Sequence, residues 1–125
     1  MTAARTRSEV MAERVRCYYQ LVDSGDVDGL VDLFEPDSTY HRPGYPPLCG
    51  RVELERFYRG ERVIHNGEHR LSTVVTDGDI TAVHGEFHGV LRDGRTVALR
   101  FADFFTFGAE DRFARRDTFF FAPLV

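Results

Sequence analysis

Two aspartates set among phenylalanines suggest the chemistry of this sequence. Residues 100–123 read RFADFFTFGAEDRFARRDTFFFAP, and Asp103 and Asp117 each stand among aromatic residues. Burying a charge in apolar surroundings is costly unless it is paired. Carboxylates in such a segment therefore either point to water or line an enclosed site where they do chemistry.

The strand period predicts where the two acids point. Because side chains alternate along a strand, Asp103 shares one face with Leu99, Phe101, Phe105 and Phe107, and Asp117 shares one with Phe113, Arg115, Phe119 and Phe121. If the 108–112 connection adds no bulge, Phe107 pairs with Phe113 and Asp103 lies opposite Asp117 on a mostly phenylalanine face. The other face is mixed, which suits a contact between two copies of the chain.

The neighbours of each acid favour different charge states. Asp103 has only apolar neighbours on its own strand face, so we expect it to be mostly neutral and able to donate a hydrogen bond to a carbonyl or epoxide oxygen. Asp117 has Arg115 two residues away, which favours its ionised form and a role as general base. Two carboxyl groups in contrasting environments are typical of an acid/base pair.

Other polar residues leave alternatives open. His41 is either a second proton carrier or substrate contact, or a loop histidine half in water. Arg42 either anchors an anionic group or forms a structural ion pair. The alternating trio His84, Glu86 and His88 has a spacing that could chelate a metal ion. Because the apolar face of that strand leaves the trio outside, we predict no metal site; His65 and His69 are expected at the surface.

The elements that would position these residues follow from hydrophobic periodicity. Met11, Val15, Tyr18 and Val22 lie on one helix face, and Ser24-Gly25 ends that helix. We predict a second helix from Asp26 through Phe34, a short strand at 38–42 and a third helix from Val52 to about Ile64. From His69 the period is two, and turns at Asp77-Gly78 and Asp93-Gly94 predict a four-stranded antiparallel meander. The fold class is α+β.

Length, composition and charge limit the function classes. A chain of 125 residues with 42% hydrophobic residues is long enough for one core, so residues 1–125 are predicted to form a single domain. A net charge of −4 without a basic stripe argues against nucleic acid, and no apolar run is long enough to cross a membrane. Cys17 and Cys49 show no metal spacing, so we expect free thiols in a reducing cytoplasm.

Several short motifs resemble one superfamily. GDVDGLVDLFEPDSTY, residues 25–40, is similar to the second-helix signature of the nuclear-transport-factor-2-like superfamily, which includes ketosteroid isomerase, SnoaL-like polyketide cyclases and limonene epoxide hydrolase. YHRPGYPPLCGR, residues 40–51, resembles the hydrolase loop, and RDTF, residues 116–119, falls where the hydrolase has Arg-Asp-Tyr-Phe. The resemblance implies a cone-shaped, curved antiparallel sheet with three N-terminal helices packed on its concave face and a pocket inside.

The resemblance also implies roles for individual residues. Tyr18 falls at the oxyanion-hole tyrosine of the isomerase and Asp103 at its neutral carboxylic acid, while Arg42 falls near its catalytic base. Tyr40 and Asp117 match the water-positioning tyrosine and the general base of the hydrolase. SnoaL-like cyclases use a pocket aspartate that Asp117 also matches.

Neither of the two best-matched templates is complete. The arginine and aspartate pair of the hydrolase falls at Phe87 and Gly89, so its acid is missing, and its asparagine is replaced by Arg42.

Together these observations predict a cofactor-independent enzyme of cyclase, isomerase or epoxide-hydrolase type. Its substrate would be a hydrophobic polyketide-, terpenoid- or steroid-like molecule, and the protein would be a homodimer. Asp117, Asp103, Tyr18 and Tyr40 are the candidate catalytic residues. The candidate substrate-binding residues are His41, Arg42, Phe87, Phe101, Phe105, Phe119 and Arg115. The alternative is a non-catalytic domain on the same fold that binds a hydrophobic ligand or serves dimerisation.

Overall fold

The computed structural model describes residues 4–121 as three α-helices and six strands. The helices are α1 Arg7–Ser24, α2 Val27–Asp32 and α3 Gly50–Arg56, and a π-helical turn, Phe57–Glu61, follows α3. The strands are β1 Phe34–His41, β2 Leu48–Cys49, β3 Ile64–Asp77, β4 Ile80–Leu91, β5 Thr96–Phe107 and β6 Phe113–Phe120. The prediction of an α+β fold is confirmed.

The six strands form one curved, unclosed sheet in the order β2-β1-β6-β5-β4-β3. Strands β3 to β6 are the predicted antiparallel meander, whereas β1 pairs with β6 in parallel. The core lies between the sheet and α1, where aromatic side chains of the helix meet those of β5. Within residues 4–121, none of the helices combines the length and the apolar composition needed to cross a membrane.

Helix α1 carries the most regular sequence pattern and follows the prediction. The Thr6 side chain caps its first turn by accepting a hydrogen bond from the Glu9 amide at 3.1 Å. Gly25 ends it in the left-handed conformation, with φ of 77°, which costs little without a Cβ. The buried stripe consists of Met11, Val15, Tyr18 and Tyr19. Tyr18 and Tyr19 therefore both face the space between the helix and the sheet.

Two predicted helices are shorter than expected. The second ends at Asp32, and Phe34 begins β1, because its backbone pairs with Phe113 of β6. The third ends at Arg56 and is extended only by the π-helical turn, so Ile64 begins β3 instead of ending a helix. In both cases pairing with a distant strand outweighs the local helical pattern.

A β-bulge in β6 changes which side chains face the interior. Phe107 pairs with Phe113 as predicted, but Thr106 then pairs with Arg115, which leaves Ala114 as an extra residue. Asp103 consequently lies opposite Thr118, and the prediction that it lies opposite Asp117 is wrong. Past the bulge the alternation is inverted, so that Arg116 and Thr118 are buried and Arg115 and Asp117 face outward.

Candidate active site

Asp103 stands at the centre of a buried polar cluster beneath α1. Its carboxylate accepts hydrogen bonds from the hydroxyls of Tyr19 and Thr118 and from Nη2 of Arg116, the last at 2.8 Å. None of its side chain reaches solvent. The apolar neighbours predicted on its own strand are joined by Arg116 and Thr118 of β6, because the bulge turns these two side chains inward.

Arg116 connects this carboxylate with a group of phenols. Its Nη1 donates to the hydroxyls of Tyr18 and Tyr58, the latter at 3.1 Å, and its guanidinium lies 4.6 Å from the ring centre of Tyr18 and 4.5 Å from that of Tyr40. Burial alone lowers the pKa of Arg116, but Asp103 and the phenol oxygens raise it well above its ordinary value. The side chain is therefore a permanent cation inside the fold.

The phenols of this cluster remain protonated. Burial raises the pKa of Tyr18 and of Tyr19 well above the ordinary value and outweighs the lowering by Arg116. Burial also raises the pKa of Tyr58. Because Tyr18 and Tyr58 share one hydrogen bond with each other, one of the two hydroxyl protons is left to donate elsewhere. The pair can therefore donate a hydrogen bond to an oxygen atom in the cavity.

His69 lies next to the same cavity and is held by an acid. Its Nδ1 is 2.6 Å from Oδ1 of Asp23, and its backbone amide donates to Oδ2 of Asp23 at 2.8 Å. The ring packs against Phe87, with 4.8 Å between ring centres, and against Tyr19, with 5.0 Å. Its side chain is 12% exposed, so the prediction of a surface histidine is wrong. Among the described residues no hydrogen bond reaches Nε2, which leaves this nitrogen available as a base.

Two small cavities lie in the interior between His69, Arg116 and the buried phenols. Each has a volume of about 20 Å³, and Arg42, Ile64, His69 and Arg116 line both. Such a volume holds about one water molecule. Tyr18 and Tyr58 line the first cavity, whereas Asp103, Phe87 and Phe101 line the second.

The first cavity adjoins a wider opening at the end of α1. This opening, which we call the mouth, has a volume of about 280 Å³ and is bounded by residues 22–25, Leu30, Tyr58, Arg62 and Ile64. Tyr58, Arg62 and Ile64 line both the mouth and the first cavity. The mouth and the cavity beside the buried cluster therefore share a wall.

The structure places Asp117 away from that cluster. Its carboxylate accepts two hydrogen bonds from Arg115, at 2.8 and 3.1 Å, and lies 3.4 Å from Nδ1 of His41. It is on the outer side of the sheet, so Asp103 and Asp117 do not share a site. Phe119, 55% exposed, lies on the same outer side.

The other predicted residues divide between the cavity and the packed core. Phe87 and Phe101 line the second cavity, and Tyr18 lines the first. Phe105 is fully buried and packs edge-on against Tyr18, with 5.5 Å between ring centres. Tyr40 is buried, and its hydroxyl donates to Oγ1 of Thr118 at 3.2 Å, because the single Thr118 proton goes to Asp103. Phe105 therefore supports the cavity wall without lining either small cavity.

Sequence reasoning missed several members of the site. These are Asp23, Tyr19, Tyr58, His69, Arg116 and Thr118. Tyr19 could have been found, because positions 15, 18, 19 and 22 form a wide apolar stripe on α1. The pairing of His69 with Asp23 has no local signal, since 46 positions separate the two residues.

Metal-binding residues do not cluster in the described part of the chain. Residues 4–121 contain no group of three or more histidine, cysteine, aspartate or glutamate side chains that could hold a metal ion. Glu86 and His88 form an exposed pair at 3.4 Å on the outer side of the sheet.

Several solved structures share the fold of this chain at low sequence identity. The epoxide hydrolase/cyclase-like enzyme SalBIII, described for its role in pyran ring formation in the polyether salinomycin, is 20% identical, with a TM-score of 0.79 over 90% of this chain and 92% of its own. An NTF2-like protein of unknown function from Burkholderia pseudomallei is 19% identical, with a TM-score of 0.81 over 89% and 90%. Another from Exiguobacterium is 18% identical, with a TM-score of 0.78 over 88% and 99%. These likenesses show a shared NTF2-like fold.

The sequence itself gives the family. A family model for the SnoaL-like domain matches residues 15–116, which run from α1 to the buried arginine of β6. The match covers most of the chain, including Asp103, Arg116 and the histidine beside them. The chain therefore belongs to the SnoaL-like domain family.

Proposed function

We propose that this protein is a cofactor-independent enzyme that moves protons on a compact, oxygen-bearing hydrophobic substrate. One observation carries the proposal: His69, oriented by Asp23, lines the same interior cavity as the Tyr18–Tyr58 pair and Arg116. A base and an oxyanion-stabilising group thus lie on either side of one small space. This combination is required to remove a proton next to a carbonyl group.

The proposed step begins with the histidine. Asp23 accepts the Nδ1 proton of His69, which fixes the tautomer in which Nε2 is the base. Nε2 takes a proton from the carbon beside the substrate carbonyl. The electron pair of that C–H bond forms the C=C bond of an enolate, and the π pair of the C=O bond moves to the oxygen. The resulting enolate oxygen accepts the hydrogen bond of the Tyr18–Tyr58 pair, which Arg116 polarises.

The enolate then has two outcomes. Return of the proton from His69 to a different carbon completes an isomerisation. Attack of the enolate carbon on a second carbonyl closes a ring instead, and the alkoxide formed there takes the proton from His69. Epoxide opening would use the same groups, with His69 activating a water molecule and the phenols donating to the epoxide oxygen. In each case Asp103 positions Arg116, and Asp117, on the outer side, takes no part in the step.

The mouth limits the size of the substrate. Its volume of about 280 Å³ is near the lower end for small-molecule sites, about 300–1,000 Å³. We infer a compact ring-bearing ketone or epoxide whose body occupies the mouth and whose oxygen replaces water in the first cavity. SalBIII, of the same fold, is described as epoxide hydrolase/cyclase-like, which supports this class. The free thiols Cys17 and Cys49 suit a reducing cytoplasm.

Deuterium exchange tests the proposed proton transfer directly. With 2-tetralone as the probe in D₂O, we expect the protein to accelerate exchange at the carbon beside the carbonyl, followed by NMR. Replacing the base in His69→Gln should reduce this rate by about 10²- to 10⁴-fold, and Asp23→Asn should also reduce it. The matched control is His88→Gln, an exposed histidine outside the site, which should exchange at the wild-type rate.

The alternative is a binding domain without catalysis. A rise in melting temperature with 2-tetralone, but exchange no faster than in buffer, would favour that alternative. Equal exchange rates for wild-type protein and His69→Gln would also contradict the proposal.

A further inference from the structure

Arg42 is a largely buried cation without a carboxylate partner. Its guanidinium lies 5.1 Å from the ring centre of Phe120 and 5.8 Å from those of Tyr45 and Phe57. Its one hydrogen bond to a described residue is a long one, 3.4 Å from Nη1 to the Tyr40 hydroxyl, and its Nε is buried without a partner. Among the side chains that the structure describes, no carboxylate lies at ion-pair distance from it. Burying a charge without a partner is energetically costly unless a bound ligand supplies the opposite charge.

A cleft of suitable size adjoins this arginine. It has a volume of about 290 Å³ and lies on the side of the β1–β6 pair, separate from the mouth. Its apolar walls are Pro43, Tyr45, Pro47 and Phe119, and Arg42 forms part of its inner wall. Arg42 also lines both small interior cavities, so its guanidinium separates the cleft from the interior.

The rest of the cleft is suited to an anion. His41 also lines it, and its Nδ1 is buried and lacks a hydrogen bond although it lies 3.4 Å from the Asp117 carboxylate. Asp117 is the acid of this cleft, and the two hydrogen bonds from Arg115 offset its charge. The cleft therefore presents one uncompensated cation, an unsatisfied ring nitrogen and apolar walls.

We propose that this cleft is a second binding site, which takes a small aromatic carboxylate. The carboxylate would accept hydrogen bonds from the Arg42 guanidinium, and the aromatic ring would lie between Pro43, Tyr45 and Phe119. The apolar walls exclude water from the ring, and Arg42 supplies the charge that selects an acid over a neutral molecule. This site is independent of the proton transfer proposed for His69.

Calorimetric titration with 2-naphthoate and its neutral isostere 2-naphthamide tests the proposal. We expect the wild-type protein to bind 2-naphthoate about tenfold or more tightly than 2-naphthamide, because a hydrogen bond to a charged group is involved. Arg42→Met keeps the length of the side chain but removes its charge, and should abolish this preference. Arg42→Lys, which keeps the charge, should retain a preference for the acid even if the methionine variant folds poorly.

A matched control and a mapping experiment make the outcome decisive. Arg70 is an exposed arginine of β3 that lines neither the cleft nor the mouth. Arg70→Met should therefore bind 2-naphthoate as the wild type does. In wild-type NMR spectra 2-naphthoate should shift the amide signals of Tyr45 and Phe119.

Three results would overturn the proposal. They are equal affinity for the two probes, unchanged 2-naphthoate binding in Arg42→Met, or shifts confined to residues outside the cleft. His69→Gln should bind 2-naphthoate normally, so this proposal and the proposed proton transfer succeed or fail separately.

Discussion

At the scale of single residues, the buried phenols show how position controls chemistry. Tyr18, Tyr19 and Tyr58 contact Arg116 or Asp103, and each is at most 9% exposed. Burial disfavours the phenolate form, and Arg116 only partly opposes this effect. These hydroxyls therefore remain hydrogen-bond donors at neutral pH.

The same phenols predict loss of stability in alkaline solution. Their pKa values are raised in the folded state, so the unfolded chain releases protons that the folded chain holds. Their contribution is complete below about pH 10 and is lost as pH rises from there toward the raised folded values, by up to about 1.4 kcal/mol per pH unit for each phenol. Urea unfolding from pH 8 to 11 should show this fall.

Replacing one phenol tests whether the loss of stability at high pH comes from the buried cluster. Tyr58→Phe should make the fall with pH less steep, since it removes one of the titrating groups. The half-buried Tyr45 serves as the control. In Tyr45→Phe the fall in the free energy of unfolding with pH should stay closer to that of the wild type. A stability that does not change between pH 8 and 11 would contradict the prediction.

At the scale of elements, the bulge in β6 decides which residues reach the interior. The extra residue Ala114 lets Phe113 and Arg116, three positions apart, both face inward. Arg116 thereby reaches Asp103, and Asp117 is turned to the outer side. The composition of the site depends on this one irregularity.

Removing one partner of the ion pair that the bulge brings together should therefore destabilise the protein strongly. Asp103→Asn removes the carboxylate that lies 2.8 Å from Nη2 of Arg116 and leaves this buried cation without it. Breaking a buried ion pair in this way should lower the free energy of unfolding by more than about 3 kcal/mol, measured by urea denaturation.

An exposed ion pair provides the comparison. Glu68→Gln removes the acid of the exposed Glu68–Arg70 pair and should lower the free energy of unfolding far less. Wild-type stability in Asp103→Asn would show that the buried ion pair does not hold the cluster together.

At the scale of the whole molecule, the outer side of the sheet is suited to a second copy of the chain. Phe104, Phe119 and Phe121 are 41%, 55% and 54% exposed, and the first two rings pack edge-on at 5.9 Å. Glu86 and Arg100 lie opposite each other on neighbouring strands beside these rings. A patch with apolar groups and both signs of charge can pair with itself across a two-fold axis.

We propose a homodimer through this patch and expect it to be disrupted by a charge. Phe104→Lys should convert the dimer to a monomer in sedimentation or light-scattering measurements at micromolar concentration, because it places a cation in an apolar contact. Val52→Lys changes an exposed apolar residue of α3 and should remain dimeric. A monomeric wild-type protein, or a dimeric Phe104→Lys variant, would contradict the proposal.

The sequence alone determined the class of fold and most of its elements. The stripe of Met11, Val15 and Tyr18 defines α1, and Asp77-Gly78 and Asp93-Gly94 define two of the hairpins. These signals are local, since helix period, caps and turn residues act within a few positions. The burial of Asp103 on the inner face of β5 also followed from the alternation of that strand.

Only the tertiary structure decided which residues meet in the site. One extra residue in β6 inverted the alternation that the sequence predicted, so Arg116 faces inward where Asp117 was expected. His69 and Asp23 come together from a strand and a helix, and no local pattern links them. Local periodicity sets the type of each element, whereas a bulge or a contact between distant elements depends on long-range packing, and so the polar cluster becomes visible only in three dimensions.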